Sequence, residues 1–242
     1  DSIDDIMVGT SERQDQRNIY VSLGKVEAAL PVNEQIQGEL YKPQSKIRVY
    51  ITKVERTTKG PQIIVSRTHP GLLRRLFEME VPEIYDGTVE IKSIAREAGD
   101  RSKISVYAHN EEVDPVGSCV GAKGARVQTI VNELNGEKID IVEWSEDPVV
   151  FVANALSPSK VLDVQVNEEE KSTTVVVPDY QLSLAIGKRG QNARLAAKLT
   201  GWKIDIKSET DARELGIYPN EASTFVPQYD EEVEYDLYAD DE

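Results

Sequence analysis

The chain has little from which to build a chemical centre. Its 242 residues include one cysteine, two histidines, two tryptophans and three phenylalanines. With Cys119 alone, neither a disulfide framework nor a zinc site can be assembled within the chain, and a reducing, cytoplasmic setting is the default expectation. His69 precedes Pro70 and His109 ends a strand-like segment. Two separated histidines and one thiol offer no metal site, no cofactor site and no nucleophilic triad, so the chain reads as a non-enzyme. Cys119 reads as a small buried residue rather than a redox site. No apolar run reaches membrane-spanning length and no signal peptide opens the chain. The chain starts DSIDDIM without Met, as expected of a fragment whose N-terminal part has been removed. Positive charge is also scarce: 28 Lys and Arg face 43 Asp and Glu, a net charge of −15. Twelve of those acids, against one Arg, fall in residues 208 to 242. Long-range attraction to a polyanion is therefore weak, and any anion must be held by local basic clusters.

What the chain does have is a pattern used twice. VGSCVGAKGARVQTIV at 116 to 131 and LSLAIGKRGQNARLAA at 182 to 197 each place Gly-x-x-Gly between an apolar run and a helical stretch. The tetrapeptides are Gly121, Ala122, Lys123, Gly124 and Gly187, Lys188, Arg189, Gly190, offset by 66 positions. One such tetrapeptide is a weak signal. The strength lies in the context: two strands and a helix precede each copy, and a helix and a near-identical strand, GEKIDIVEWSED or GWKIDIKSETD, follow it. Glycines at this spacing permit a tight turn and a close approach, such as a sugar-phosphate backbone requires. A helix starting directly after each loop favours phosphate through its first N–H groups and its dipole. Lys123 and Arg126, and Lys188 and Arg189, supply charge. Gln191 and Asn192 open the second helix, and Arg194 and Lys198 lie at i and i+4 along it.

Length and composition point to two or three small domains. Residues 1–67 read as a small β-barrel of the oligonucleotide-binding kind, with turn signals at Asp15 to Asn18, Gly24 and Lys59-Gly60-Pro61. Ile19, Val21 and Leu23, then Ile47, Val49 and Ile51, alternate inward. Tyr20, Arg48 and Tyr50 fall on the outward face as candidate RNA contacts. IQGELYKPQSKIRVYI is expected to supply the third and fourth strands. Residues 68–145 and 146–208 hold the two repeat units. In the first, Leu72, Leu73, Leu76 and Phe77 share a helix face that Pro82 closes, and Val127, Ile130, Val131 and Leu134 form a second stripe. In the second, Ala193, Ala196, Ala197 and Thr200 form a small-residue stripe, expected to pack tightly on its own sheet or on the adjoining copy. Residues 209–242 read as an acidic, disordered tail.

The unit helix, strand, strand, helix, Gly-x-x-Gly, helix, strand resembles the type II, prokaryotic KH domain, which is α+β. An S1-like barrel followed by two such domains resembles the NusA family of bacterial transcription elongation and termination factors. RNIYVSLGKVEAALP, SRTHPGLLRRLFEMEVPEI and VVVPDYQLSLAIGKRGQNARLAAKLTGWKIDI carry much of that likeness. The resemblance implies that each loop clamps the backbone of about four nucleotides while bases lie in an apolar groove beside it. It also implies single-stranded nascent RNA as ligand, effects on pausing, termination and antitermination, and RNA polymerase as a partner through an N-terminal domain absent here. Other transcription factors are possible partners, no membrane is expected to be, and a monomer is expected. Two alternatives stay open at this point: a scaffold whose KH folds bind protein only, and a module related to polynucleotide phosphorylase.

Overall fold

The computed structural model describes residues 3–227. Strands β1 (Ile6–Gln14), β2 (Asn18–Ser22), β3 (Glu27–Pro31), β4 (Lys46–Thr57) and β5 (Gly60–Ser66) close into a barrel in the order β1-β2-β3-β5-β4. The first turn forms because the Asp15 carboxylate accepts the amides of Arg17 and Asn18, both at 2.8 Å. The alternating residues Ile19, Val21, Ile47, Val49 and Ile51 meet Leu30 and Val65 in the barrel core. The third strand is Glu27–Pro31, so IQGELYKPQSKIRVYI contributes one strand and the connection before it rather than two strands. Its Ala28, Ala29 and Leu30 are buried in succession, and a strand covered on both faces carries no period-2 signal.

The first repeat unit comprises α1 (Pro70–Glu80), α2 (Pro82–Tyr85), β6 (Val89–Glu97), β7 (Arg101–Ala108), α3 (Pro115–Val120), α4 (Ala125–Glu133) and β8 (Lys138–Glu143). The His69 side chain caps α1, its Nδ1 accepting the Gly71 amide at 2.8 Å. Pro82 does more than close α1, because it sits in the first turn of α2. The two predicted stripes, Leu72 to Phe77 and Val127 to Leu134, face each other and the inner residues Ile91, Ile104, Val106 and Ile139 of the sheet. The second unit comprises α5 (Pro148–Ala155), β9 (Asp163–Asn167), β10 (Ser172–Val177), α6 (Leu182–Ile186), α7 (Gln191–Thr200), β11 (Lys203–Ser208) and α8 (Glu209–Glu214). Each sheet has three strands, an antiparallel hairpin joined by a parallel strand from the far end of the unit.

The three units share seams. Between barrel and first unit, Arg67 forks onto the Glu39 carboxylate at 2.9 and 2.9 Å and also donates to the carbonyls of Arg48 and Glu133. Tyr50 enters the core of the first unit. Between the two units, Ala95 and Val142 on the outer face of the first sheet join the core of the second, beside Ala196 of the small-residue stripe. Lys103, fully buried, donates to Asp140 at 2.9 Å and across the seam to the Ser157 carbonyl at 2.7 Å. Burial alone pushes the Asp140 carboxyl up, yet the bonds from Arg101 and Lys103 outweigh it and hold it below the ordinary range.

The reading of 209–242 as a disordered tail is corrected for its first half. Residues 209–214 are α8, capped by Ser208, whose Oγ accepts the Asp211 amide at 3.1 Å, and Ala212 is fully buried. The chain then runs across β9: Gln165 donates to the Ile217 carbonyl at 2.7 Å, Ser223 bonds Asp163, and Phe225 packs against the second core. Asp163 and Gln165 lie on the face of β9 opposite Val164 and Val166. Four anchoring residues among many acids are invisible to composition. Residues 228–242, on which the rest of that expectation falls, lie outside the described residues.

Candidate nucleic-acid interface

Both Gly-x-x-Gly loops adopt one backbone path. Gly121 and Gly187 have φ/ψ of 78/171 and 79/171, Lys123 and Arg189 have 54/30 and 55/27, and Gly124 and Gly190 have 73/14 and 72/15. Each loop thus holds three residues in positive φ, two of them glycines and one a basic residue that tolerates it. The first glycine is also required for space: a Cβ at Gly121 would lie 3.0 Å from the Arg126 amide nitrogen, and one at Gly187 would lie 2.7 Å from that of Asn192. The start of the following helix is thereby pressed against the loop.

The helix starts are the second feature. α1, α3, α5 and α8 begin on a side-chain cap, whereas α4 and α7, like the short α2 and α6, have none, and α4 and α7 alone begin on glycines, Gly124 and Gly190. The amides of Gly124 and Ala125, and of Gly190 and Gln191, turn back onto carbonyls of their own loops, so what these starts offer an anion is the positive dipole end and the amides further in. Ala122, Lys123, Lys188 and Arg189 are exposed, and among the described residues no ion pair engages these three cations. Lys198 is exposed further along α7. Leu184 and Ile186 of α6 are exposed beside the second loop, at 42% and 37%.

The other expected contacts are placed differently. Arg126 donates to Glu83 at 2.8 Å and to the Ser118 carbonyl at 2.7 Å, so it ties the first loop to α2 and α3. Asn192 occupies the matching position in the second unit and is buried; its Nδ2 donates to the carbonyls of Leu156 and Ala185, and its Oδ1 has no partner. Gln191 donates to Asp100 at 2.7 Å and Arg194 pairs with Glu97 at 2.6 Å, both across the seam to the first unit. Arg194 also donates to the Arg189 carbonyl at 2.9 Å and so braces the second loop. Glu97 holds the Arg194 guanidinium pKa above its usual value by hydrogen bond and charge. In this structure all four are engaged by the protein itself, around the loops. A helix residue's spacing shows which face it shares, not which neighbour covers that face.

On the barrel, Tyr20 is half-buried: its hydroxyl donates to Asp15 at 2.8 Å and Arg13 lies over its ring at 4.1 Å. Arg48 faces the seam, 3.6 Å from Glu133. Tyr50, expected to face outward, is 5% exposed and stacked on His69 at 4.7 Å. Burial, then its hydrogen bond to Asp4, pushes its hydroxyl pKa up to about 12. A small barrel's outer strand face becomes an interface once a second domain packs there, and the alternation that marks it outward does not say so. His69 and Arg74 line the cleft beside this stack, a placement that their spacing in the sequence does not signal. Among the described residues no group of three or more His, Cys, Asp or Glu could hold a metal, and no helix is long and apolar enough to cross a membrane.

Comparison with known families and proteins agrees with this architecture. Residues 1–66 match the S1 RNA binding domain, residues 67–144 the NusA-like first KH domain and residues 148–214 the NusA-like second KH domain. The transcription termination/antitermination protein NusA of Bacillus subtilis is 80% identical over 221 residues, covering 91% of this chain and 60% of that protein. Its namesake in Halalkalibacterium halodurans is 75% identical over 224 residues, covering 93% and 59%. That of Thermus thermophilus is 51% identical over 200 residues, covering 82% and 52%. The chain therefore spans about three-fifths of the length of its Bacillus and Halalkalibacterium relatives. With an S1 barrel and both NusA-like KH domains present in order, the chain belongs to the NusA family.

Proposed function

We propose that this chain holds single-stranded nascent RNA and, through it, regulates pausing, termination and antitermination by RNA polymerase. The barrel at 1–67 and the KH units at 68–145 and 146–208 act as one non-catalytic RNA-binding body in the cytoplasm. The observation that carries this reading is the pair of exposed, cation-bearing glycine loops of equal geometry, each running directly into a helix start. Each loop takes a stretch of sugar-phosphate backbone on Gly121, Ala122, Lys123 and Gly124 or on Gly187, Lys188, Arg189 and Gly190. Amides bind the phosphate oxygens, the lysine or arginine adds charge, and Leu184 and Ile186 offer apolar surface to a base. Because the chain carries −15 overall, affinity comes from these local clusters and from linking two weak sites on one strand. Contact with RNA polymerase belongs to the part of the family's length that this chain does not span.

The test is RNA binding by fluorescence anisotropy at two salt concentrations. It compares the intact chain with Ala122→Asp/Lys123→Asp and with Lys188→Asp/Arg189→Asp, folding being checked by circular dichroism. Loss of single-strand affinity in a folded variant supports the reading. Unchanged affinity in both overturns the loop clamp and leaves a protein-binding scaffold.

A further inference from the structure

A cavity of about 500 Å³ opens at the seam between barrel and first KH unit, lined by Asp4, Tyr50, His69, Arg74, Arg75 and Glu78 among others. We propose that it receives one nucleotide of the bound single-stranded RNA, base on His69 and phosphate on Arg74. The inference rests on the reading of the loops as RNA clamps and adds a contact away from both of them.

The floor is aromatic and fixed. Tyr50 is wedged against α1, where a Cβ on Gly71 would lie 2.4 Å from its Cζ, and its hydroxyl donates to Asp4 at 2.7 Å. His69 stacks on it at 4.7 Å with 13° between the planes. The imidazole cannot swing away, because its Nδ1 accepts the Gly71 amide at the start of α1. That bond leaves Nε2 as the donor of the neutral ring. An exposed ring held parallel to a buried one presents its other face as a ready stacking surface, with no side-chain ordering left to be done on binding.

The charges select an anion. Both carboxylates of the cavity are already engaged, Asp4 by Tyr50 and Glu78 by Arg75 at 2.8 Å. Arg75 is further held by the Asp4 carbonyl at 2.7 Å. Arg74 is exposed, makes one long hydrogen bond of 3.4 Å to the Ile91 carbonyl, and has no ion pair among the described residues. A flat stacking surface beside an uncompensated guanidinium matches a nucleotide, and a guanidinium suits phosphate in particular.

The test uses the whole chain with His69→Asn and Arg74→Gln, singly and together. Asparagine keeps a capping oxygen for α1 while removing the ring, so folding is preserved. Affinities are measured for an RNA of about 8 nucleotides, enough for the two loops, and for one of about 20 that reaches the barrel. RNA carrying 4-thiouridine is also photo-crosslinked and the tryptic peptide 68–74 sought by mass spectrometry. The expected result is a loss of about tenfold for the longer RNA in the double variant, little change for the shorter, and a crosslink in peptide 68–74 of the parent chain. Equal affinities of parent and double variant for the longer RNA, with crosslinks confined to other peptides, overturn the cavity site while leaving the loop clamps standing. If the parent chain binds neither RNA, the reading of the loops falls first and this site with it.

Discussion

The two glycine loops follow the same backbone path to within a few degrees, yet they are supported by different chemistry. Behind the first, position 126 is an arginine whose charge is returned to Glu83. Behind the second, position 192 is a buried asparagine that stitches two helices through their carbonyls, while Arg194 braces the loop from the side and is itself neutralised by Glu97 of the other unit. Loop conformation is thus set by glycine and local sterics, and what varies between copies is the field. The first loop presents one cation without an ion pair, Lys123. The second presents two, Lys188 and Arg189. Between the two copies, then, charge and buttress differ while the backbone path is kept.

The largest effect is expected where the two copies are joined. Asp140→Asn leaves the buried Lys103 without its anion and should lower stability by about 3 kcal/mol, measured by chemical denaturation. If it costs nothing, the copies are not coupled through that seam and must be compared as independent domains. The same carboxylate gives a pH signature. Its folded pKa is depressed, so its stabilisation is complete above the ordinary carboxylate range near about 4 and fades as pH falls below it towards the folded value. The thermal midpoint of the parent should drop more steeply below about pH 4 than that of Asp140→Asn.

Next come the glycines. Gly187→Ala meets both a positive φ and the Asn192 amide at 2.7 Å and should cost about 2 kcal/mol. Gly190→Ala meets the φ penalty in open space and should cost about 1 kcal/mol. Equal costs would show that the helix start is not pressed on the loop. The loop charges follow: Lys188→Asp/Arg189→Asp should weaken RNA binding about tenfold and Ala122→Asp/Lys123→Asp about threefold, with a shallower salt dependence in the former. A reversed order in the anisotropy titration would break the comparison outright. The smallest effect is Glu83→Gln, which releases Arg126 and should raise affinity about twofold at low salt, narrowing the gap between the copies.

Much of this was legible in the sequence because its signals are local. Asp114, Asp147, Pro115 and Pro148 mark helix starts, the Leu72 to Phe77 and Val127 to Leu134 stripes mark the faces that meet, and both loops lie where the glycine pairs put them. Of the small-residue stripe of α7, Ala196 lies in the second core beside Ala95 and Val142 of the neighbouring copy. Less legible was everything decided by a distant partner. Arg126, Asn192, Arg194 and Tyr50 have the residue types of ligand contacts, and in this structure they also meet Glu83, Leu156, Glu97 and His69, partners far away in sequence or in another unit that spacing cannot show. β3 was obscured by burial on both sides, and α8 by the acids around it.

The strap from α8 to Phe225 bears on assembly. The outer face of the first sheet is closed by the second copy, and the corresponding face of the second sheet is crossed by the strap instead. A head-to-tail contact between like units has no built-in stop, since each added unit presents a fresh surface to the next, in the way that open filaments grow. A short stretch of chain, anchored at a few points, acts as the terminator of that series. It covers the face of the second sheet on which a further unit of this kind would otherwise stack.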